Sequence, residues 1–391
     1  MLSLKDTRPV WAEINLDNLA NNIREVRRIT EKDTLVTAVV KANGYGHDAI
    51  EVSKVFLNNG ADRLAVATLS EAIQLRKAGL KAPILILGYT PNYQMKELIK
   101  NNIIATIYTL EQAKVLSNIA KELNKKAKLH IKIDTGMSRL GFSYNDSTVD
   151  RILKISKLKN LEIEGIFTHF AKADEKNKEF TDVQYKRFEK VTKALKQRGL
   201  DIPIKHVSNS AAIIDLPQYN LDMVRAGIML YGLYPSDDVD KSNVNLKPSM
   251  TLKAKLSYIK EVPENTGISY GHIYITNKRT KIGTLPLGYA DGFTRLLSTK
   301  TKGTIKGKKV PIIGTICMDQ CMVDLSELKD VTVDDYVTLF SDGKDNTLHI
   351  DDVANVLGTI NYEIVCMIGK RVPRVFIKDN NIIKIKDYNL I

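Results

Sequence analysis

The stretch LVTAVVKANGYGH, residues 35–47, begins as an apolar, β-branched run and ends in a glycine-rich turn. Leu35 to Val40 has the character of a buried strand. Lys41 closes it, and Asn43, Gly44, Tyr45, Gly46 and His47 supply a close backbone turn with a phenol and an imidazole. A buried ammonium is costly. A lysine at this place either reaches solvent along its alkyl stem or serves as an amine of lowered pKa that adds to a carbonyl. Working outward, seven more apolar runs follow: LAVA (64–67), ILIL (84–87), IIATIY (103–108), KLHIKI (128–133), IEGIFT (163–168), IKHVS (204–208) and DMVRAG (222–227). Segments of helical spacing lie between them, among them Glu71 to Ala78, Met95 to Asn101, Leu110 to Leu123 and Lys178 to Arg198. Eight strand-then-helix units predict an α/β fold built on a closed parallel (β/α)8 TIM-type barrel. An open doubly wound sheet uses the same alternation, but the count favours the barrel.

Past Tyr234-Pro235-Ser236 the polar stretch SDDVDKSNVN reads as a linker, and the texture changes. LKAKLSYIKEV, SYGHIYIT, KIGTLPLGY, TIKGKKVPIIG, CMVDLS and YVTLF are strand candidates, with one helix from about Asp351 to Leu357. The division expected is a barrel over residues 1–240 and a C-terminal all-β domain over 241–391. The first dozen or so residues, which include the strand-like WAEIN, are able to join either domain.

The 391 residues are 43% hydrophobic, which suits folded domains and excludes a disordered chain. No apolar stretch reaches membrane-spanning length, and the opening residues have no signal-peptide core, so a cytoplasmic location is expected. Cys317, Cys321 and Cys366 are too few and too scattered for a disulfide framework, and no histidine or second cysteine pair completes a metal site. The net charge of +13 raises nucleic-acid binding as an option. Lysines spread along polar helix faces, as in KVTKALKQRG (190–199), argue instead for a solvated basic surface and for neither nucleic-acid nor membrane partners.

A barrel carries its chemistry at the carboxyl ends of its strands. Polar residues concentrate there: Lys41 and Tyr45 after the first; Lys132, Asp134 and Arg139 on or after the fifth; His169 after the sixth; His206, Asn209 and Ser210 on or after the seventh; Arg225, Gly227 and Ile228 at the eighth. Taken singly, His169 reads equally as a core histidine, Arg139 as an ion-pair partner, Ser210 as a helix N-cap and Lys132 as the partner of Asp134. Ser210 and the turn after Arg225 lie where barrels often hold phosphate. No GxxxxGK[ST] or GxGxxG pattern is present, so a phosphate-bearing cofactor that also needs a lysine points to pyridoxal phosphate. The β domain adds Tyr270 in SYGH, Tyr289 and Asp291 in GYADG, Met318 and Asp319 in ICMDQ, and Tyr362 in INYE.

Together AVVKANGYGH, KIDTGMSRLG, THFAKADE, HVSNSAA, MVRAGIMLYG, SYG, LGYADGF, ICMDQ, INYE and RVPR, in order over nearly the whole chain, closely resemble bacterial alanine racemase, a fold-type III pyridoxal phosphate enzyme. The resemblance implies interconversion of L- and D-alanine by two bases, supplying D-alanine for peptidoglycan. A broader racemase of the same fold, acting on serine or lysine, is the alternative. By resemblance Lys41 is the Schiff-base lysine and the base on the D side, and Tyr270 the base on the L side. Tyr45, Ser210, Gly227, Ile228 and Tyr362 bind the phosphate. Arg225, supported by His206, faces the pyridine nitrogen and keeps it unprotonated, and His169 with Arg225 lowers the pKa of Tyr270. Arg139 sits near the cofactor's phenolic oxygen and the substrate carboxylate, and Lys132 matches a lysine that many members carry as a carbamate. Tyr270, Met318 and Tyr289 come from the partner subunit, which implies a head-to-tail homodimer with shared active sites. The sequence departs from the family pattern at Gly44, Asp48, Ser138 and Thr315. These stand where alanine, glycine, glycine and arginine are common.

Overall fold

The computed structural model describes residues 7–390, which fall into two compact units. One unit takes residues 19–44 and 49–246. It holds eight parallel strands: Leu35–Val39, Arg63–Val66, Ile84–Ile86, Ala105–Ile107, Ala127–Lys132, Leu161–Phe167, Ile204–His206 and Met223–Ala226. The eighth pairs in parallel with the first. The Ile104 N–H donates to the Ile84 carbonyl at 2.9 Å, joining third and fourth, and the Arg225 N–H donates to the Ser208 carbonyl at 3.1 Å, joining seventh and eighth. The cylinder is therefore closed, and the barrel expected from the eight runs is present.

Its helices begin where the sequence carries caps. Thr68 and Glu71 form a capping box at Leu69–Lys77, and Thr109 and Asn145 cap Leu110–Glu122 and Asp146–Ser156. The polar stretch after Pro235 is tied down within this unit: Asp238 accepts from the Lys176 N–H, and the Asn245 N–H donates to Glu25.

The other unit takes the described residues up to Asn18, then 45–48, and those from 247 onward. Its main element is a ten-stranded sheet. The opening strand Val10–Asn15 lies inside this sheet, antiparallel to Met250–Lys255 and parallel to Arg374–Lys378. Trp11, Ile14, Leu252, Leu339 and Phe376 belong to its buried core. Two elements differ from the expectation of an all-β region with one helix. Beside Ile350–Leu357 there is a second helix, Asn361–Met367, and SYGH forms a 3-10 turn, Tyr270–His272, between the short strands Gly267–Ile268 and Tyr274–Ile275. Tyr362 thus lies on a helix and Tyr270 in a turn. No helix of the described residues is long and apolar enough to cross a membrane.

Candidate active site

Lys41 leaves the first barrel strand into an unusual backbone. Ala42, Asn43, Gly44, Tyr45 and Gly46 all have positive φ, between 49° and 80°, a run of left-handed residues that L side chains resist. Hydrogen bonds offset the strain. The Gly44 N–H donates to the Val40 carbonyl at 2.9 Å, Asn43 accepts from the Ala49 N–H, and Glu71 accepts from the N–H groups of Ala42, Ala67 and Thr68. The carboxylate that caps one helix therefore also fixes the turn after Lys41.

Inside the barrel Arg225 is almost fully buried. It donates to His206 Nδ1 at 2.8 Å and, through Nη2, to the carbonyls of Thr168 at 2.8 Å and Val207 at 3.0 Å. His206 Nε2 lies 2.8 Å from His130 Nδ1, and His130 Nε2 lies 3.0 Å from Glu164. Arg63 at 2.6 Å and Lys128 at 2.9 Å complete the carboxylate's partners. Since the guanidinium only donates, the chain has one direction. His206 accepts at Nδ1 and donates from Nε2, His130 repeats the pattern, and Glu164 receives. Both imidazoles are neutral. Burial pushes the pKa of His206 well down, reinforced by Arg225, and burial lowers that of His130 against the pull of Glu164. Burial would raise the pKa of Glu164, but the hydrogen bonds from His130, Arg63 and Lys128 outweigh it and hold the carboxyl far below its ordinary range. Arg225 is pushed down by burial to about 9 and stays charged at neutral pH.

His169 Nδ1 lies 3.4 Å from Arg225 Nη2, and burial with the nearby cations Arg225, Arg139, Lys132 and Lys41 drives its pKa well down. That shift disfavours the charged form of His169, so Arg225 carries the positive charge of this pair. Lys132 is buried over the Phe167 ring, and its pKa falls to about 8, first by burial and then through Arg139 and Arg225. Asp134 turns its oxygens to the N–H groups of Gly136, Ser138 and Arg139, shaping the loop that carries Arg139. Ser210 is not the cap of its helix. Asn209 fills that place by accepting from the Ala212 N–H, and Ser210 Oγ accepts from the Gly227 N–H at 2.9 Å. Ile228 is fully buried beside that turn.

In the other unit Tyr45 and Tyr362 face each other with ring centroids 6.2 Å apart. Burial, with Tyr362 and Cys366 nearby, pushes the Tyr45 pKa far up, so it remains a phenol able to donate. Tyr270, Met318 and Tyr289 are 69%, 52% and 43% exposed. Their backbones are nonetheless fixed. The Thr315 hydroxyl donates to the Tyr270 carbonyl at 2.7 Å, the Ser269 hydroxyl donates to the Thr315 carbonyl at 2.7 Å, and the N–H groups of Tyr289 and Ala290 donate to the carbonyls of Cys317 and Met318. Tyr270 lines an open cleft of about 540 Å³ with His272, Cys317 and Gln320. Among the described residues no group of His, Cys, Asp or Glu is placed to hold a metal ion.

A family model described as alanine racemase, N-terminal domain, matches residues 14–235, and one described as alanine racemase, C-terminal domain, matches 249–376. The chain belongs to the alanine racemase family. An alanine racemase from Methanococcus maripaludis is 52% identical over 95% of this chain and 99% of its own length. The solved alanine racemase of Clostridium difficile is 48% identical, with a TM-score of 0.95 over 98% of this chain and 99% of that one. The alanine racemase of Bacillus anthracis, solved with bound L-Ala-P, is 37% identical, with a TM-score of 0.93 over 98% and 99%. These relatives favour alanine over the broader serine or lysine reading.

The family is pyridoxal phosphate-dependent, and the residues present fit that group. Arg225 uses three of its N–H groups on His206, Thr168 and Val207, and the planar fork has five, so donors remain for a ring nitrogen that only accepts. Ser210 Oγ accepts from Gly227 and keeps its own hydrogen to donate to a phosphate oxygen. His130, Glu164 and Arg63 escape a motif reading, although His130 and Lys132 alternate with Leu129 and Ile131 along the fifth strand, so both point to one face.

Proposed function

We propose that this protein interconverts L- and D-alanine with pyridoxal phosphate as cofactor, and so supplies D-alanine for peptidoglycan. The observation that carries the reading is Arg225: buried, charged and held by neutral His206. Pyridoxal phosphate, when bound, draws electron density from the substrate's α-carbon and acidifies its proton. Arg225 would hold the cofactor's ring nitrogen as a donor that gives up no proton, so the ring would stay unprotonated and side reactions would be suppressed. Lys41 would hold the cofactor and would move the α-proton on the D side. Tyr270 of the partner subunit moves it on the L side, and the charge of Arg225 favours its phenolate. Tyr45, Ser210, Gly227, Ile228 and Tyr362 bind the phosphate. Arg139 holds the cofactor's phenolic oxygen and the substrate carboxylate, assisted by Met318 of the partner subunit, and Tyr289 of the partner subunit narrows the entrance. His169 works as a neutral neighbour of Arg225.

A head-to-tail homodimer with shared sites accompanies this reading, supported by the exposure of Tyr270, Met318 and Tyr289. The domain division proposed is a barrel over 1–240, whose opening segment packs with the β domain, and a β domain over 241–391; the pairing of Val10–Asn15 within the β sheet supports that placement. A cytoplasmic setting is supported by the small, odd number of cysteines, Cys317, Cys321 and Cys366, too few and too scattered for a disulfide framework. Lys132, with its lowered pKa, is proposed as the site of a carbamate that orients Arg139. The test is incubation with single enantiomers of alanine, serine and lysine in deuterated water. Alanine losing optical activity with α-deuterium uptake supports the reading, and a cofactor-loaded protein that exchanges nothing sinks it.

A further inference from the structure

The backbone after Tyr45 is gripped by the far end of the chain. Asp48 is fully buried with φ of 81°, a conformation that a glycine adopts freely and an aspartate resists. Its Oδ2 accepts from Lys386 Nζ at 2.7 Å and from the Tyr388 hydroxyl at 2.7 Å, two strong hydrogen bonds to one buried carboxylate. Lys386 also lies over the Tyr388 ring at 4.9 Å. Two residues earlier, the Gly46 carbonyl accepts from Arg374 Nε at 2.8 Å. Arg374 is 1% exposed, and its other donors go to the carbonyls of Ile368, Gly369 and Val372. Gly46 also packs so tightly that a Cβ there would lie 2.1 Å from the Val365 carbonyl oxygen. His47 Nδ1 lies 2.8 Å from the Tyr45 carbonyl oxygen. The four residues 45–48 are thus held on the strand Arg374–Lys378, on its neighbour Asn381–Lys386 and on Tyr388. Lys386 and Tyr388 lie beyond residue 376, where the match to the family model ends.

We propose that Asp48 is a positioning residue for cofactor binding: clamped by Lys386 and Tyr388, it fixes the backbone that aims the Tyr45 phenol. This deepens the function proposed above and rests on Tyr45 binding the phosphate. A buried aspartate at a φ that suits glycine is a cost the fold sustains only if the contacts it makes outweigh it. Lys386 and Tyr388 supply those contacts. The carboxylate is a fixed point on a loop whose geometry a long side chain must reproduce to within about half an ångström to serve a ligand.

The test uses the full-length apoprotein and four variants, Asp48→Gly, Tyr388→Phe, Tyr45→Phe and the double variant Asp48→Gly/Tyr45→Phe, each titrated with pyridoxal phosphate by cofactor absorbance. Thermal unfolding of each apoprotein confirms that it is folded. Asp48→Gly relieves the backbone strain while deleting the carboxylate, and Tyr388→Phe deletes one hydroxyl, so both variants retain the fold. The expected result is a Kd raised about tenfold in Asp48→Gly and a few-fold in Tyr388→Phe, as when a group that orients a ligand-binding residue is lost. Adding Asp48→Gly to Tyr45→Phe is expected to weaken binding little further, because the two act through one contact. Unchanged affinity in Asp48→Gly beside weakened affinity in Tyr45→Phe overturns the clamp alone. Unchanged affinity in both overturns the clamp together with the phosphate role of Tyr45. Fully additive losses overturn the coupling on which the clamp rests.

Discussion

The barrel's polar interior and the β unit's surface turns are built in opposite ways. In the barrel, Arg225, His206, His130 and Glu164 are buried and satisfied by one another, so each side chain's orientation is fixed within one unit. In the β unit, Tyr270, Tyr289 and Met318 have fixed backbones and exposed side chains. Self-contained groups suit a ring cofactor that must be held in one attitude, whereas exposed aromatic and thioether groups on stitched turns suit completion by another surface.

The variant that strains this contrast most is Tyr270→Phe. Loss of a general base costs about 100- to 10,000-fold in turnover from L-alanine. Because the enantiomers are equal in free energy, kcat/KM must fall equally in both directions, so the assignment is read from the primary isotope effect. That for L-alanine is expected to rise well above that for D-alanine, and undiminished kcat/KM would remove Tyr270 from its role. Next comes Glu164→Gln, which leaves Arg63 and Lys128 without their carboxylate and costs about 2 to 3 kcal/mol in denaturant unfolding at neutral pH. The sign with pH follows from a folded pKa held below the unfolded one. The contribution is complete above about 4.5 and disappears as pH falls toward the folded value, so the gap between wild type and variant narrows on acidification. A gap that is constant with pH would show that the carboxylate's charge is not what stabilises the chain.

Thr315→Val is expected to have a smaller effect, about tenfold on turnover from L-alanine, because it removes the hydroxyl that holds the Tyr270 carbonyl. Thr315→Ser should restore the rate, and failure of that rescue would assign the loss to packing. The smallest effect is expected at Lys132. With its pKa lowered to about 8, its neutral amine forms at a pH where an ordinary lysine is still charged, so carbamate detected with 13C-bicarbonate should grow as pH rises through 8. A signal that survives Lys132→Ala would place the carbamate elsewhere.

Eight strands were legible because each is a short apolar run bounded by turn or cap residues. The segment read as Glu71 to Ala78 is the helix Leu69–Lys77, whose start lies two residues earlier because the capping box of Thr68 and Glu71 sets it. The helix Asn361–Met367 was not legible. It has seven residues and is preceded by Ile360, whose side chain makes no capping bond, so nothing local separates it from a strand. The last two strands, Arg374–Lys378 and Asn381–Lys386, were also missed, since the first is a short run buried without alternation and the second is an exposed to half-buried strand that carries Lys384 and Lys386. Of the site, the residues at strand ends could be read because a barrel concentrates chemistry there. The His206 to Glu164 chain could not, because it runs between strands distant in sequence and carries no motif. The downward push on the His169 pKa could not be read, because it comes from the environment the fold builds around it, including Arg225, Arg139, Lys132 and Lys41, which are distant in sequence.

The central claim is that each active site takes Lys41 from one subunit and Tyr270 from the other. The most direct test mixes two inactive variants, Lys41→Ala and Tyr270→Phe, after dissociation and reassociation. In a hybrid dimer one site has both defects and the other has neither. About half of randomly re-formed dimers are hybrids with one complete site each, so the account predicts recovery of about a quarter of wild-type activity. A mixture as inactive as its two components would contradict it.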